Sequence, residues 1–310
     1  MISAIIDKSL YVSQKGIPEM RDYIIATAST CDLDRSYLDE HQIPVISYTF
    51  TIDGQIYIDD CRPNTKRAIY NAMRQGKLPN TSQITTYTYY EFFKSLLEEG
   101  KPVLFVDMDR AISASYNNSI QAQEMIHDEM PNAQLTILDT RCITMGLALL
   151  LKTLVSMQEA GKSYEEVVAF GKENAIKIAH RFMVDDLQWL RRGGRLSNAS
   201  AIVGSLLSIK PLIYVNDDGQ LIAYTKVRGR KKAIAELLKS TKEDLGDGSG
   251  KDIIVGHSDN EEEGNKWKQL VQEAYPNANS VTLMELGPTI GTHVGPDFLS
   301  IVYFTNERHA

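Results

Sequence analysis

Val103-Leu104-Phe105-Val106 is a short, uninterrupted apolar run, and its surroundings decide the predicted fold. A continuous apolar run of this length is typical of a strand buried on both faces, as in a parallel sheet. Neighbouring strands are predicted at residues 23–26, 44–51 and 135–138, and helices at residues 63–75 and 86–98 and from Asp34, Ser115 and Thr144. Because strands alternate with helices, the sequence predicts an α/β domain with a parallel, doubly wound sheet.

The pattern changes after about residue 161. Helices are predicted over residues 163–179, 202–207, 231–240 and 261–274, and strands over residues 210–215, 221–226, 252–256, 280–286 and 301–304. Asp217-Asp218-Gly219 separates two of these strands and is a strong hairpin signal. We therefore expect two domains: an N-terminal α/β domain over residues 1–165, of which 1–22 form an extension, and a C-terminal α/β domain with a mixed or antiparallel sheet over residues 166–310.

Composition and charge exclude several classes of protein. The 310 residues are 43% hydrophobic and 24% charged, which is typical of a globular protein. The net charge of −7 argues against general nucleic-acid binding. The apolar run near the start, residues 4–6, is too short for a signal peptide or a membrane span. Three widely spaced cysteines form no zinc pattern, and reduced thiols in the cytoplasm fit them best.

The sequence contains none of the compact catalytic motifs that a self-sufficient enzyme commonly uses. It lacks a GxxxxGK[ST] loop, a GxGxxG fingerprint after the first strand, an HExxH motif and a GxSxG elbow. The stretch 246–251, Gly-Asp-Gly-Ser-Gly-Lys, has the wrong spacing for a phosphate loop and is interpreted as a solvent-exposed loop. We therefore expect no metal and no cofactor, and we do not expect a kinase, dehydrogenase, metalloprotease or hydrolase.

The stretch Leu190-Arg191-Arg192-Gly193-Gly194-Arg195-Leu196-Ser197 is a candidate anion site. Glycines permit close backbone approach, and arginine guanidinium groups suit carboxylates or phosphates. Ser197 is a candidate N-cap for the following helix, whose positive end favours an anion. The alternative is a polar turn with a solvated basic face. The basic residues from Lys226 to Lys232 have the same two interpretations, a partner-docking surface or a solvated face.

Hydroxyl side chains follow several predicted strands. They are found in Thr81-Ser82-Gln83, at Ser113 and Ser115, and in the Gly- and Pro-rich loop 287–296, which contains His293. In open α/β sheets ligands bind beyond the carboxyl ends of the strands, where such hydroxyls can converge on one small anion. Ser and Thr also cap helices, so each hydroxyl has a purely structural alternative. The rigid, open loop around His293 favours close approach of a ligand.

Six motifs occur in the order found in the DegV family of bacterial fatty-acid-binding proteins, which includes the lipid-carrying subunit of bacterial fatty acid kinase. They are Thr81-Ser82-Gln83, residues 111–115, Asp139-Thr140, residues 190–195 with Ile209-Lys210-Pro211, Asp218-Gly219 with residues 226–233, and residues 291–296. The chain therefore resembles this family over residues 23–304.

The resemblance implies a two-domain DegV-like fold with a long-chain fatty acid, such as palmitate, in a tunnel between the domains. It implies that Thr81 and Ser113 hold the carboxylate, with His293 nearby and Ser82 beside them. Arg191, Arg192 and Arg195 are expected to border the site and the partner-facing surface. The protein is then a carrier and not an enzyme, and an ATP-dependent kinase partner forms the acyl phosphate.

Five residues depart from the family pattern, and one of them is Ile84, which follows Gln83 where the family more commonly has proline. Ala28 replaces an aspartate, and Asp297 replaces a glycine. Ala111 and Ala114 stand where the family favours glycine, and their methyl groups are expected to narrow the pocket or shift its loop.

The alternative function is an enzyme for a small carboxylated or phosphorylated substrate, bound by the Arg-Gly-Gly-Arg and Gly-Thr-His loops.

Overall fold

The N-terminal half of the chain contains a parallel sheet covered by helices. A computed structural model of the protein describes residues 21–196 and 209–308. In the N-terminal half (residues 21–165), the strands are β1 (Ile24–Ala28), β2 (Val45–Ile46), β3 (Thr49–Ile52), β4 (Gln55–Ile58), β5 (Asn80–Ser82), β6 (Val103–Asp107) and β7 (Leu135–Asp139). The helices are α1 (Arg35–Glu40), α2 (Pro63–Arg74), α3 (Thr86–Leu97), α4 (Ser115–Glu129) and α5 (Thr144–Glu159). The order β2-β1-β6-β7, with all pairs parallel, confirms the predicted sheet.

A second, small sheet in this half has the order β4-β3-β5 and is antiparallel. Asp53 and Gly54 both have positive φ and form the predicted hairpin turn between β3 and β4. Residues 44–51 were predicted as one strand, but the chain changes sheet between β2 and β3. Tyr48 lies at this change, where its N–H donates to Ser29 Oγ over 3.0 Å. Because Tyr48 lies between the two strands, its side chain does not follow the alternation of side chains along a strand.

The C-terminal half (residues 166–308 as described) is built on a mixed sheet. Its strands are β8 (Ile178–Met183), β9 (Ile209–Val215), β10 (Leu221–Arg228), β11 (Asp252–His257), β12 (Ser280–Glu285) and β13 (Leu299–Phe304). The helices are α6 (Tyr164–Asn174), which enters from the N-terminal half, α7 (Gln188–Arg192), α8 (Arg230–Lys239), α9 (Lys242–Leu245), α10 (Glu261–Ala274) and α11 (Pro288–Val294). The order is β10-β9-β8-β13-β11-β12, and among these pairs β11 and β12 run parallel. The predicted mixed sheet is thus confirmed.

Two predicted elements of this half were wrong. The helix over 163–179 ends at Asn174, and after a short 3-10 turn the chain enters β8, which pairs with both β9 and β13. The stretch 287–296 is not a loop, because Pro288 starts helix α11 and Gly295, with φ 79°, ends it. Gly291 lets α11 pack closely, since a Cβ there would lie 2.4 Å from the Tyr70 hydroxyl. The predicted Ser197 cap and the helix 202–207 lie outside the described residues.

Polar contacts join the two halves along helix α2. Lys66 Nζ donates to the Glu285 carbonyl over 3.1 Å, and the Tyr70 hydroxyl donates to the Leu286 carbonyl over 3.0 Å. At the end of α2, Arg74 pairs with Asp259 at 2.7 Å and with Asp297 at 2.6 Å. Asp297, one of the departures from the family pattern, therefore serves as an interdomain ion-pair partner. The domain boundary near residue 165 stays a prediction.

The buried interior also joins the halves. One hydrophobic cluster contains Phe105 of the N-terminal half and Val302 of the C-terminal half, both almost fully buried. Cys31, Cys61 and Cys142 are buried free thiols. Within residues 21–196 and 209–308, the helices are too short or too polar to cross a bilayer.

Candidate functional site

A cavity lies between the two halves of the protein. Most of its lining is apolar and comes from both halves, including Met108, Ile112, Phe182, Ile290, Val294 and Phe298. The space is narrow, with a volume of about 60 Å³. Polar side chains of the lining include Thr81, Ser113, Tyr48, Arg195 and His293. The cavity therefore combines an apolar wall with a polar group of the kind that binds a carboxylate or phosphate.

Thr81 and His293 meet at this polar group from opposite halves of the chain. Thr81 lies on β5 and His293 on the last turn of α11, and Thr81 Oγ1 is 2.9 Å from His293 Nε2. Burial and, to a smaller extent, the nearby Arg195 guanidinium together lower the pKa of His293 to about 4. The imidazole is therefore neutral at pH 7. If it donates from Nε2 to Thr81, the Thr81 hydroxyl proton is free for a ligand.

The glycines of the Arg-Gly-Gly-Arg stretch allow the chain to approach His293. Gly193 has an ordinary helical φ of −73°, but a Cβ on it would lie 2.4 Å from His293 Nδ1. Gly194 has φ 68°, a conformation that favours glycine. Arg195 then turns toward Ser113, because its Nε donates to the Ile112 carbonyl over 3.2 Å and its Nη1 donates to the Gly193 carbonyl. Arg195 thus connects the Thr81–His293 pair to the loop that carries Ser113.

Ser113 lies just before helix α4 and contacts Tyr48. The two hydroxyl oxygens are 3.2 Å apart, and the Ser115 N–H donates to Ser113 Oγ over 3.3 Å. Burial raises the pKa of Tyr48 to about 12, so its phenol is a neutral donor at pH 7. Among the described lining residues, Arg195 is the one whose side chain carries a full charge at pH 7. The group therefore offers several neutral donors and one cation, which favours an anion.

The other predicted site residues lie elsewhere. Ser82 is exposed and outside the cavity lining, since it follows Thr81 in a strand and neighbouring side chains point to opposite faces. Arg191 and Arg192 are exposed, and the Arg192 guanidinium lies 4.5 Å from the centre of the Trp189 ring. These two arginines precede Gly193 in the chain, and neither lines the cavity. Arg230 of the basic stretch pairs with Glu263 and Asp185, so it belongs to an ion-pair network.

The expected narrowing of the pocket by Ala111 and Ala114 is not found, whereas the alternative, a shift of their loop, stays a prediction. Both residues are exposed and neither lines the cavity, so their methyl groups do not narrow it. Ala28, the third departure, is fully buried in β1. Thr140, of the predicted Asp-Thr element, donates to the Asp107 carbonyl over 2.9 Å and supports the end of strand β6.

Sequence reasoning missed four polar residues of the lining, namely Tyr48, Thr144, His180 and Ser300. Tyr48 lay inside a predicted strand, where an aromatic residue is normally part of the core. His180 directly followed the end of a predicted helix, and Ser300 lay just before a predicted strand. A correct assignment of β8 is the signal that would have revealed His180, because alternation in that strand places it and Phe182 on one face.

Known proteins are similar to this chain over most of its length. A family profile described as "Uncharacterised protein, DegV family" matches residues 23–306. A DegV domain-containing protein of Clostridium perfringens is 34% identical over 290 residues, which cover 93% of this chain and 99% of the relative.

Two solved structures are similar over nearly their whole length. A stearic acid-binding protein of Eubacterium ventriosum has a TM-score of 0.83 and 25% identity, covering 91% of this chain and 98% of that one. A fatty acid-binding DegV family protein of Thermus thermophilus has a TM-score of 0.82 and 27% identity, covering 92% and 100%.

Proposed function

The chain belongs to the DegV family, and from that premise we propose that it binds a long-chain fatty acid between its two halves. The carboxylate lies at Thr81, Ser113 and His293, and the acyl chain lies along the apolar lining. The observation that carries this proposal is the combination of one narrow apolar cavity with a polar group of neutral donors beside Arg195. Solved relatives that are described as fatty-acid-binding support the same ligand class.

The polar group fixes the orientation of the ligand. Hydroxyl donors form short, charge-assisted hydrogen bonds with a carboxylate. Thr81 donates to the carboxylate while it accepts from His293 Nε2, so His293 acts through Thr81 by directing its proton. One of the Ser113 and Tyr48 hydroxyl protons forms the hydrogen bond between the two oxygens. The other hydroxyl proton can be donated to the ligand. Arg195 adds the positive charge that compensates the anion.

The acyl chain supplies most of the affinity. Burial of each methylene contributes about 0.8 kcal/mol, so a chain of about fourteen methylenes contributes about 11 kcal/mol before ordering costs. Loss of translational and conformational freedom offsets a large part of this gain. The cavity is narrow in the structure, so its apolar side chains must shift to admit a full chain. This requirement favours flexible side chains such as Met108 and Met145 in the lining.

The second part of the proposal concerns the fate of the bound lipid. The chain carries no nucleotide-binding motif, so ATP is assigned to a separate kinase partner that converts the carboxyl group to an acyl phosphate. Arg191 and Arg192 are exposed beside the polar group, where they can contact such a partner. The protein is then a carrier without catalysis of its own.

A small-substrate enzyme is the competing function. It would use Arg195 and the Thr81–His293 pair for a carboxylate or phosphate. The mostly apolar lining disfavours it, because a small polar substrate would leave that surface without a matching partner.

Denaturing extraction followed by lipid mass spectrometry tests the proposal. The purified protein is expected to contain close to one equivalent of a long-chain fatty acid. Thr81→Val should reduce this content strongly, whereas the matched control Ser82→Ala, at the exposed neighbouring residue, should retain it. A protein that is empty and takes up no added fatty acid, or that turns over a small substrate without any added protein, contradicts the proposal.

A further inference from the structure

One polar side-chain atom of the cavity has no hydrogen-bond partner among the described residues. Ser300 is 3% exposed, and its Oγ makes no hydrogen bond to any described residue. Other buried polar atoms among the described residues also lack partners, but their residues do not line the cavity. Buried hydroxyls are almost always hydrogen-bonded in proteins, so this exception requires an explanation. An oxygen of the bound ligand is a partner that the location of Ser300 permits.

The surroundings of Ser300 leave its hydroxyl available. Ser300 lies on β13 between Gly256 of β11 and Phe182 of β8. A Cβ on Gly256 would lie 2.4 Å from Ser300 Oγ and 2.9 Å from Met145 Sδ. The absence of a side chain on Gly256 therefore leaves space for the ends of the Ser300 and Met145 side chains. The Ser300 carbonyl accepts from Trp267 Nε1 over 2.8 Å, which fixes the backbone at this point. Ser300 Oγ therefore sits at a defined position on the cavity face of the sheet.

The neighbouring polar atoms are already occupied. His180 Nε2 accepts from the Ile143 N–H over 3.3 Å, and His180 Nδ1 lies 3.1 Å from the Ile178 carbonyl. The Thr144 hydroxyl donates to Met145 Sδ. The side-chain polar atoms of His180 and Thr144 are therefore already paired. In this part of the lining Ser300 Oγ is the polar atom without a described partner. This hydroxyl lies on a different element from every member of the carboxylate group.

We propose that the cavity binds a hydroxylated long-chain fatty acid and that Ser300 pairs with the hydroxyl group on its acyl chain. The inference rests on the proposed fatty-acid site and specifies the class of acid. A plain acyl chain covers Ser300 with methylenes and leaves its hydroxyl unpaired. A chain with a hydroxyl at the matching carbon pairs both groups, so neither is buried without a partner. Sites with an unpaired hydrogen-bonding group discriminate against ligands that lack the complementary atom.

Affinities for a positional series test this inference. Dissociation constants are measured for stearic acid and for monohydroxystearic acids whose hydroxyl moves from the middle of the chain to its end. The full-length wild-type protein is expected to bind one isomer at least as tightly as stearic acid and to bind the remaining isomers about ten-fold more weakly. Ser300→Ala should weaken the preferred isomer about ten-fold, equivalent to about 1.4 kcal/mol, and should leave stearic acid binding unchanged.

Ser119→Ala is the matched control, because Ser119 is also buried but donates to Asp107 over 3.1 Å and does not line the cavity. It should not change the order of affinities. Equal affinities across the series, or a Ser300→Ala effect that is the same for every acid, overturn the inference while stearic acid binding leaves the proposed function intact. Failure of the wild type to bind any of these acids overturns both.

Discussion

Replacement of Gly193 by alanine tests how the Arg-Gly-Gly-Arg stretch supports the carboxylate site. The new Cβ would lie 2.4 Å from His293 Nδ1, whereas an ordinary contact begins at 3.4 Å, so the imidazole must move by about 1 Å. His293 Nε2 is 2.9 Å from Thr81 Oγ1, and this displacement breaks or weakens that hydrogen bond. Without it the Thr81 hydroxyl is no longer directed at the ligand carboxylate, and a hydrogen bond to such a charged group contributes about 1.5–3 kcal/mol. We therefore expect fatty acid binding to weaken about 10- to 150-fold.

Gly194→Ala is the control for this variant. Gly194 has φ 68°, so alanine strains the backbone there by about 1 kcal/mol, but its Cβ would meet no atom within 4 Å. Competition titration with a fluorescent fatty acid gives the dissociation constants, and thermal unfolding confirms that both variants fold. Unchanged affinity of folded Gly193→Ala, or equal losses in the two variants, would refute the role assigned to the glycine.

Three further predictions concern Thr81, Arg192 and Asp109. Thr81→Val should weaken binding of a fatty acid about ten-fold or more, while Thr81→Ser, which keeps the hydroxyl, should retain most of the affinity in the same titration. Arg192→Ala should leave lipid content unchanged and reduce phosphorylation by a kinase partner, because Arg192 is exposed and stacks on Trp189; equal loss of both would make it a carboxylate ligand. Burial raises the pKa of Asp109 to about 7, so its folded form holds a proton that the unfolded chain releases above about pH 4. The free energy of unfolding of the wild type should therefore fall from pH 5 to pH 8 by more than that of Asp109→Asn in urea titrations, and parallel pH profiles would contradict this.

The sequence predicted the elements whose pattern is local. Strand β6 was found because its continuous apolar run between helices indicates a buried parallel sheet. The turn at Asp53 and Gly54 was found because that pair favours positive φ. Helix α11 was missed because the stretch 287–296, which contains it, has three glycines and two prolines. In the structure Gly291 allows close packing of α11 against Tyr70. This packing is a tertiary contact, which local helix propensity does not predict.

The candidate site was predicted only in part, because some of its residues can be recognised from local sequence patterns and others cannot. Thr81, Ser113 and His293 were identifiable as hydroxyls and an imidazole beyond strand ends, and the structure brings them to one cavity. Ser300 was not identifiable because its position depends on which strands pair with β13. Tyr48 was not identifiable because it lies where the chain changes sheet between β2 and β3. Ser82 was grouped with Thr81 because they are adjacent in sequence, but alternation along β5 separates their side chains.

A structure of the protein with bound stearic acid tests the central claim most directly. We predict that the carboxylate lies within hydrogen-bonding distance of Thr81 Oγ1 and Ser113 Oγ, with the acyl chain between Ile112 and Phe182 in the cavity. A carboxylate bound beside His180 and Ser300, or an acyl chain bound outside the cavity, would contradict the proposed site.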